Sequence, residues 1–199
     1  MSTTVDYYIA PQSPWTYLGH QRFVQMAKAA GAKVRLMPMD LGKVFPLSGG
    51  LPLGKRAPQR QAYRLVELTR FSKSLGIPLN LHPQFFPVAG DAAARLIIAV
   101  DMHQGTDAAL TMAGAVFAAV WQQNRDIADA NNLAALLSEH QLDAACLALS
   151  NTPEVQARYD SNTQSAIDTQ VFGAPSYVID GELFWGQDRL EFVAQKLKS

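Results

Sequence analysis

The sequence predicts an α/β protein in which two strand-bearing segments, one near each end of the chain, enclose a long helical block. Three observations predict this class. Apolar, strand-like runs occur near the ends, at residues 5–10, 32–39, 175–180 and 182–185. The intervening sequence is rich in alanine and has helical spacing of its apolar residues. A single helix separates the first two runs, which is typical of a parallel β-α-β unit.

The first helix is predicted by its start and stop signals. Ser13 is suited to the N-cap position, and Pro14 fits the first helical position, where no backbone donor is needed. Gly31 provides the stop before the second strand.

The next segment, residues 41–55, is rich in glycine and proline, so we predict a loop. A helix is predicted over residues 58–76, with Gly76 as its stop. Its apolar stripe is expected to consist of Tyr63, Leu65, Val66, Leu68 and Phe71.

Two apolar helices are predicted at residues 91–105 and 106–124, followed by two shorter ones and a helix capped by Thr152. The strands then return. Asp180-Gly181 between two apolar runs is a strong hairpin signal. Asp188 followed by Glu191 is the pattern of a capping box at the start of a last helix.

Composition narrows the function. Lys plus Arg (17) equal Asp plus Glu (17), which argues against nucleic acid as a partner. No apolar run approaches the roughly 18 residues of a membrane span, and the N-terminus has no signal-peptide pattern. Cys146 is the single cysteine and is expected in the core of a cytoplasmic protein. The histidines lack metal-ligand spacing, so no metal site is proposed; they are His20, His82, His103 and His140.

Two local motifs sharpen the fold. "SPWT" (13–16) stands at the strand-to-helix turn, and "FGAPSYVID" (172–180) places Pro175 just before a strand. The order β-α-β then β-β-α is that of a thioredoxin-like domain with an all-helical insertion, and in such proteins the matching proline is cis. The residues leave the isomer of the Ala174–Pro175 bond open. We predict a thioredoxin-like domain from residues 1–55 and 170–199, and a helical insertion at 56–169.

Nearly the whole chain resembles the 2-hydroxychromene-2-carboxylate isomerases, which are close to the kappa-class glutathione transferases in the DsbA-like branch. "DYYIAPQSPWTYLG" resembles the N-terminal segment of that family, and "VFGAPSYVIDGELFWGQDRLEFV" resembles its C-terminal signature. In the middle, "PQRQAYRLVELTR" and "VWQQNRDIADANNL" resemble two further family patterns.

The resemblance implies a glutathione-dependent isomerase of aromatic-compound catabolism, which forms trans-o-hydroxybenzylidenepyruvate through transient thiolate addition. It also implies a homodimer and an aromatic carboxylate substrate. Two alternatives stay open: a kappa-like glutathione transferase, and an inactive DsbA-like binding protein. Disulfide exchange is disfavoured because the site lacks a thiol.

The resemblance assigns the glutathione site residue by residue. Ser13 would donate a hydrogen bond to the glutathione thiolate, although a serine at a helix start is most often simply an N-cap. Ala174, before Pro175, would pair its backbone with the cysteinyl part. Gln187 and Asp188 would hold the γ-glutamyl end.

Arg60, where the family has lysine, would bind a carboxylate. The other basic candidates are Lys43, Lys55, Arg56 and Arg70, each of which is by default a solvated surface charge.

The substrate side of the pocket is less defined. Trp15, Phe86 and Lys43 are its candidates, and Trp15 fits a structural aromatic equally well. Two loops depart from the family pattern: Leu51-Pro52 replaces an asparagine-containing loop, and Ala89-Gly90 replaces an Asn-Thr pair.

Overall fold

The computed structural model describes residues 3–198 and contains one mixed four-stranded sheet in the order β2-β1-β3-β4. The strands are β1 (Thr4–Ile9), β2 (Lys33–Pro38), β3 (Ser176–Ile179) and β4 (Glu182–Trp185). β1 and β2 are parallel, as the β-α-β pattern predicted, whereas β3 is antiparallel to both β1 and β4. The two ends of the chain therefore form one sheet.

Helices cover both faces of this sheet. They are α1 (Pro14–Ala29), α2 (Leu41–Ser48), α3 (Pro58–Leu75), α4 (Asp91–Gln104), α5 (Thr106–Trp121), α6 (Ala130–Glu139), α7 (Ala145–Leu149), α8 (Pro153–Asp168) and α9 (Leu190–Lys196). The predicted caps of α1, α3 and α8 are confirmed. Ser13 accepts from the Thr16 amide and Thr152 from the Val155 amide, and Gly76 ends α3 in the left-handed region.

Two local predictions were wrong. Residues 41–48 form a helix rather than a loop, because Asp40 accepts a hydrogen bond from the Gly42 amide and Gly49, with a φ of 73°, ends the helix. The capping box is also absent. Asp188 lies in a 3₁₀ turn, Gln187–Arg189, and its carboxylate pairs with the Arg189 side chain instead of capping α9.

The core lies on both faces of β1, whose side chains alternate between them. Tyr7 and Ile9 pack into a large cluster with α1, α4 and α5, and Tyr8 packs into a smaller cluster with residues of α2 and α8. The large cluster contains residues from both the terminal segments and the helical block. The division of the chain at residues 56 and 169 stays a prediction.

The apolar stripe expected for α3 is confirmed in part, because Leu68 is buried and Leu65 and Phe71 are half-buried, but two of its members face solvent. Arg64 and Leu68 are its buried residues, whereas Tyr63 and Val66 are exposed. Within residues 3–198, no helix is both long and apolar enough to cross a membrane.

Candidate active site

A cavity of about 540 Å³ lies between α3, the start of α1 and the turn that follows β4. This volume is in the range of small-molecule sites. The lining residues are Trp15, Arg56, Gln59, Arg60, Tyr63, Arg64, Glu67, Phe71, Ala174, Trp185, Gly186, Gln187, Asp188 and Arg189. Terminal segments and helical block thus both contribute to its wall.

Ser13 adjoins the cavity through Ala174. The Ser13 hydroxyl donates to the Ala174 carbonyl over 3.2 Å and accepts from the Thr16 amide over 3.2 Å. Ser13 is 7% exposed and is not itself a lining residue, whereas Ala174 is. The Ala174–Pro175 bond is cis. The hydroxyl sits at the N-terminus of α1, where the helix dipole favours an anion.

Gln187 is held firmly against α1 but keeps one group free. A side chain at Gly19 of α1 could not fit, since its Cβ would lie 2.8 Å from the Gln187 Cβ. Arg22 donates to the Gln187 carbonyl over 3.0 Å and also to Oε1 of its side chain. The buried Nε2 of the same amide has no hydrogen-bond partner. Gln187 lines the cavity, and a ligand acceptor that reached this enclosed Nε2 would satisfy it.

Positive charge dominates the α3 side of the cavity. Arg60 and Arg64, four residues apart on α3, lie on the same side of that helix, and Arg56, which precedes α3, lines the same wall. Burial, followed by repulsion from Arg60, lowers the pKa of Arg56. Burial, followed by repulsion from Arg56, lowers the pKa of Arg64 to about 10. Because arginine side chains are cations in proteins, the three residues create an anion-binding wall.

Aromatic rings also line the cavity. Trp15 meets the ring of Phe71 edge to face, with centroids 6.1 Å apart. On the opposite side Trp185, which is 51% exposed, packs against Phe172 at 4.8 Å. Flat apolar surfaces facing a charged wall suit a planar aromatic acid.

The structure brings most of the sequence-predicted site residues together. Five of them line this cavity: Trp15, Arg60, Ala174, Gln187 and Asp188. Ser13 and Pro175 adjoin Ala174.

Two predicted substrate-pocket residues lie elsewhere. Lys43 forms an ion pair of 2.9 Å with Asp160 of α8. Phe86 packs on Trp121, with ring centroids 4.8 Å apart, and lies beneath Arg64 rather than in the cavity wall. Neither residue is placed to contact a ligand in the cavity directly.

Sequence reasoning missed Arg64 and Trp185 and gave Arg56 no particular weight. The four-residue spacing of Arg60 and Arg64 within the predicted helix is a signal that could have found part of the basic wall. Trp185 gave no comparable signal, because an aromatic at the end of a strand more often packs into a core.

The two loops whose sequences differ from the family pattern, at Leu51-Pro52 and Ala89-Gly90, each contact residues near the site. The Leu51 carbonyl accepts a hydrogen bond of 2.8 Å from Nε of Arg56, which holds that arginine at the cavity rim. The amide of Gln12, next to Ser13, occupies the space that a side chain at Gly90 would need. Among residues 3–198, no group of three or more His, Cys, Asp or Glu residues is placed to hold a metal ion.

Known proteins resemble this chain over nearly its full length. Residues 4–198 match the family described as DSBA-like thioredoxin domain. The 2-hydroxychromene-2-carboxylate isomerase of Pseudomonas putida is 34% identical over 192 residues, which cover 94% of this chain and 90% of that protein.

Solved structures agree with the sequence comparison. A 2-hydroxychromene-2-carboxylate isomerase superposes with a TM-score of 0.81 at 27% identity, covering 98% of this chain and 94% of that one. The cytosolic disulfide reductase DsbM from Pseudomonas aeruginosa, solved with GSH, gives 0.69 at 18% identity, covering 98% and 100%. At that identity the second likeness shows the fold alone.

Proposed function

We propose that this chain, which belongs to the DSBA-like thioredoxin domain family and within it to the 2-hydroxychromene-2-carboxylate isomerase family, is a glutathione-dependent isomerase. Its substrate is 2-hydroxychromene-2-carboxylate or a similar aromatic-degradation intermediate. The observation that carries the proposal is the Ser13 hydroxyl, which starts α1 and reaches the cavity wall at Ala174. No cysteine stands at that helix start, so the site needs a thiol from a ligand.

The residues of the cavity fit glutathione. Its γ-glutamyl end carries acceptors and an ammonium, which match the unpaired Nε2 of Gln187 and the carboxylate of Asp188. Arg60 matches a carboxylate. A protein of the same fold was solved with GSH, which supports glutathione as the ligand.

The Ser13 hydroxyl can rotate and so change the group to which it donates its hydrogen bond. Its hydroxyl has a single hydrogen, which points to the Ala174 carbonyl in this structure. Turning that hydrogen toward the cavity would place a donor, together with the α1 amides, beside a bound sulfur. The same rotation would release the Ala174 carbonyl to accept a hydrogen bond from the ligand backbone. One rotation of Ser13 therefore serves both contacts.

The chemistry of the reaction is divided between ligand and protein. Bound glutathione would supply a thiolate that adds to a conjugated carbon of the substrate and so turns the double bond into a single bond. With the ring opened, rotation about that single bond and expulsion of the thiolate would restore the double bond in the trans geometry and regenerate glutathione. Ser13 and the α1 amides stabilise negative charge at the sulfur. Trp15, Phe71 and Trp185 hold a planar ring and exclude water.

The decisive experiment measures glutathione while the substrate isomerises. We expect conversion to the trans product with the glutathione concentration unchanged. Stoichiometric loss of glutathione would instead support a kappa-like transferase and overturn the isomerase. If calorimetry detects no glutathione binding at millimolar concentration, the chain is an inactive binding protein of this fold.

A cytoplasmic homodimer is also part of the proposal. It rests on the resemblance to the family together with the lone, buried Cys146. Sedimentation of the purified protein tests the dimer, and a monomer at micromolar concentration would contradict it.

A further inference from the structure

Arg64 differs from the other arginines of the cavity in being buried without an acceptor. It is 9% exposed and lines the cavity from α3. Arg56 donates to the Leu51 carbonyl, and Arg189 pairs with Asp188. Across residues 3–198, Arg64 forms neither an ion pair nor a hydrogen bond through its side chain.

Aromatic rings hold the Arg64 guanidinium in place. Its central carbon lies 5.2 Å from the centroid of Phe86 and 5.5 Å from that of Trp121. These cation–π contacts stabilise the charge but accept no hydrogen bond from the guanidinium N–H groups. Fixing a planar fork while its donors stay free is the arrangement that two-pronged recognition of a carboxylate requires.

The surroundings of Arg64 work against its charge. Burial and the neighbouring Arg56 lower the pKa of Arg64 to about 10, which still leaves it a cation at neutral pH. Glu67 lines the same wall but forms no ion pair with it. An anion entering the cavity would therefore remove an unfavourable interaction as well as gain hydrogen bonds.

We propose that Arg64 binds the carboxylate of the planar aromatic substrate and so makes the cavity selective for aromatic acids over their neutral analogues. The inference rests on the proposed function, because Arg60, Gln187 and Asp188 are assigned there to glutathione. Arg64 is a cation of the cavity wall to which no part of glutathione is assigned, and it packs against the rings of Phe86 and Trp121. Phe86 thus acts on the substrate through Arg64.

The test compares binding of chromone-2-carboxylate with that of chromone-2-carboxamide, two stable bicyclic compounds that differ in charge. Calorimetry is run on the protein with and without saturating glutathione. We expect the wild type to bind the carboxylate about 10- to 100-fold more tightly than the carboxamide. In Arg64→Gln this ratio falls to near one because the carboxylate affinity drops. Arg70→Gln, an exposed arginine of the same helix, keeps the wild-type ratio.

The inference is overturned if the wild type does not prefer the carboxylate, or if Arg64→Gln weakens both compounds equally, as a purely structural role would. Arg64→Lys covers the case in which the glutamine variant does not fold. It keeps the charge but loses the fork, so a reduced ratio supports the proposal and an unchanged ratio contradicts it. Failure of the proposed function is seen separately, as absence of glutathione binding to the wild type.

Discussion

His20 and Arg64 are both buried titratable residues, yet their surroundings are opposite. His20 lies between α1 and α5, where Tyr7 contacts Nδ1 over 3.2 Å and the Leu110 carbonyl contacts Nε2 over 2.9 Å. Both bonds are satisfied when the imidazole is neutral with its proton on Nε2. Arg64 lies in the cavity wall, where its side-chain N–H groups have no acceptor and its guanidinium contacts only the rings of Phe86 and Trp121.

Whether a buried polar group has hydrogen-bond partners in the chain distinguishes a structural role from a ligand-binding role. A buried polar group with all its partners in the same chain stabilises the fold and offers nothing to a ligand. A buried polar group without them lowers stability, and a binding site is where that cost is balanced by a ligand. Gln187 has one group of each kind, because its Oε1 accepts a hydrogen bond from Arg22 whereas its Nε2 has no partner.

The largest expected effect is the loss of turnover on replacing Ser13, whose hydroxyl is hydrogen-bonded within the fold, as His20 is, and adjoins the cavity, as Arg64 does. Ser13→Ala removes the proposed donor to the sulfur, so we expect turnover to fall about 10²- to 10³-fold. Loss of the N-cap should lower the free energy of unfolding by only about 1 kcal/mol. Steady-state kinetics and urea unfolding measure the two effects. Thr16→Val removes the other hydroxyl of the motif, whose Oγ1 has no partner, and should retain activity. Full turnover in Ser13→Ala would leave Ser13 only a helix cap.

The second effect is on stability and comes from His20. Burial lowers the pKa of His20 to about 4, below its ordinary value of 6.5. Between these pH values the unfolded chain binds a proton that the folded chain does not. The free energy of unfolding should therefore fall by roughly 3 kcal/mol as the pH drops through this window. Urea unfolding of wild type and His20→Gln checks this, since the variant should lose the slope. Equal slopes in the two proteins would contradict the assignment.

The smallest effect tests the divided role of Gln187. Gln187→Glu keeps the acceptor for Arg22 but removes the unpaired Nε2 donor. We expect unchanged or higher thermal stability and about tenfold weaker glutathione binding, since one hydrogen bond is lost. Differential scanning calorimetry and isothermal titration measure the two quantities. Unweakened binding would show that Nε2 does not contact the ligand.

The fold was predictable because its signals are local. A capping serine or threonine followed by proline predicts the starts of α1 and α8, and Asp180-Gly181 predicts the hairpin. Helix α2 was not predicted because Gly42 and Pro46 are poor helix formers, whereas in the structure Asp40 caps the helix. Context overrode propensity there.

The site was predictable only in part, because cavity walls do not follow the pattern of a core. On α3 the apolar Tyr63 and Val66 are exposed while Arg64 is buried. Periodicity places apolar residues inward, and nothing in the local sequence shows that the inward neighbours of Arg64 are Phe86 and Trp121. Ser13, Ala174 and Gln187 were found because a resemblance named their positions.

The most direct test of the account is the pKa of glutathione bound to this protein, followed by the ultraviolet absorbance of its thiolate as pH is raised. With Ser13 present, we expect a thiol pKa clearly below the ordinary value of about 8.5. In Ser13→Ala it should return toward that value while the ligand stays bound. An unshifted pKa in the wild type, or an equal shift in both proteins, would contradict the central claim that Ser13 lowers the pKa of the glutathione thiol.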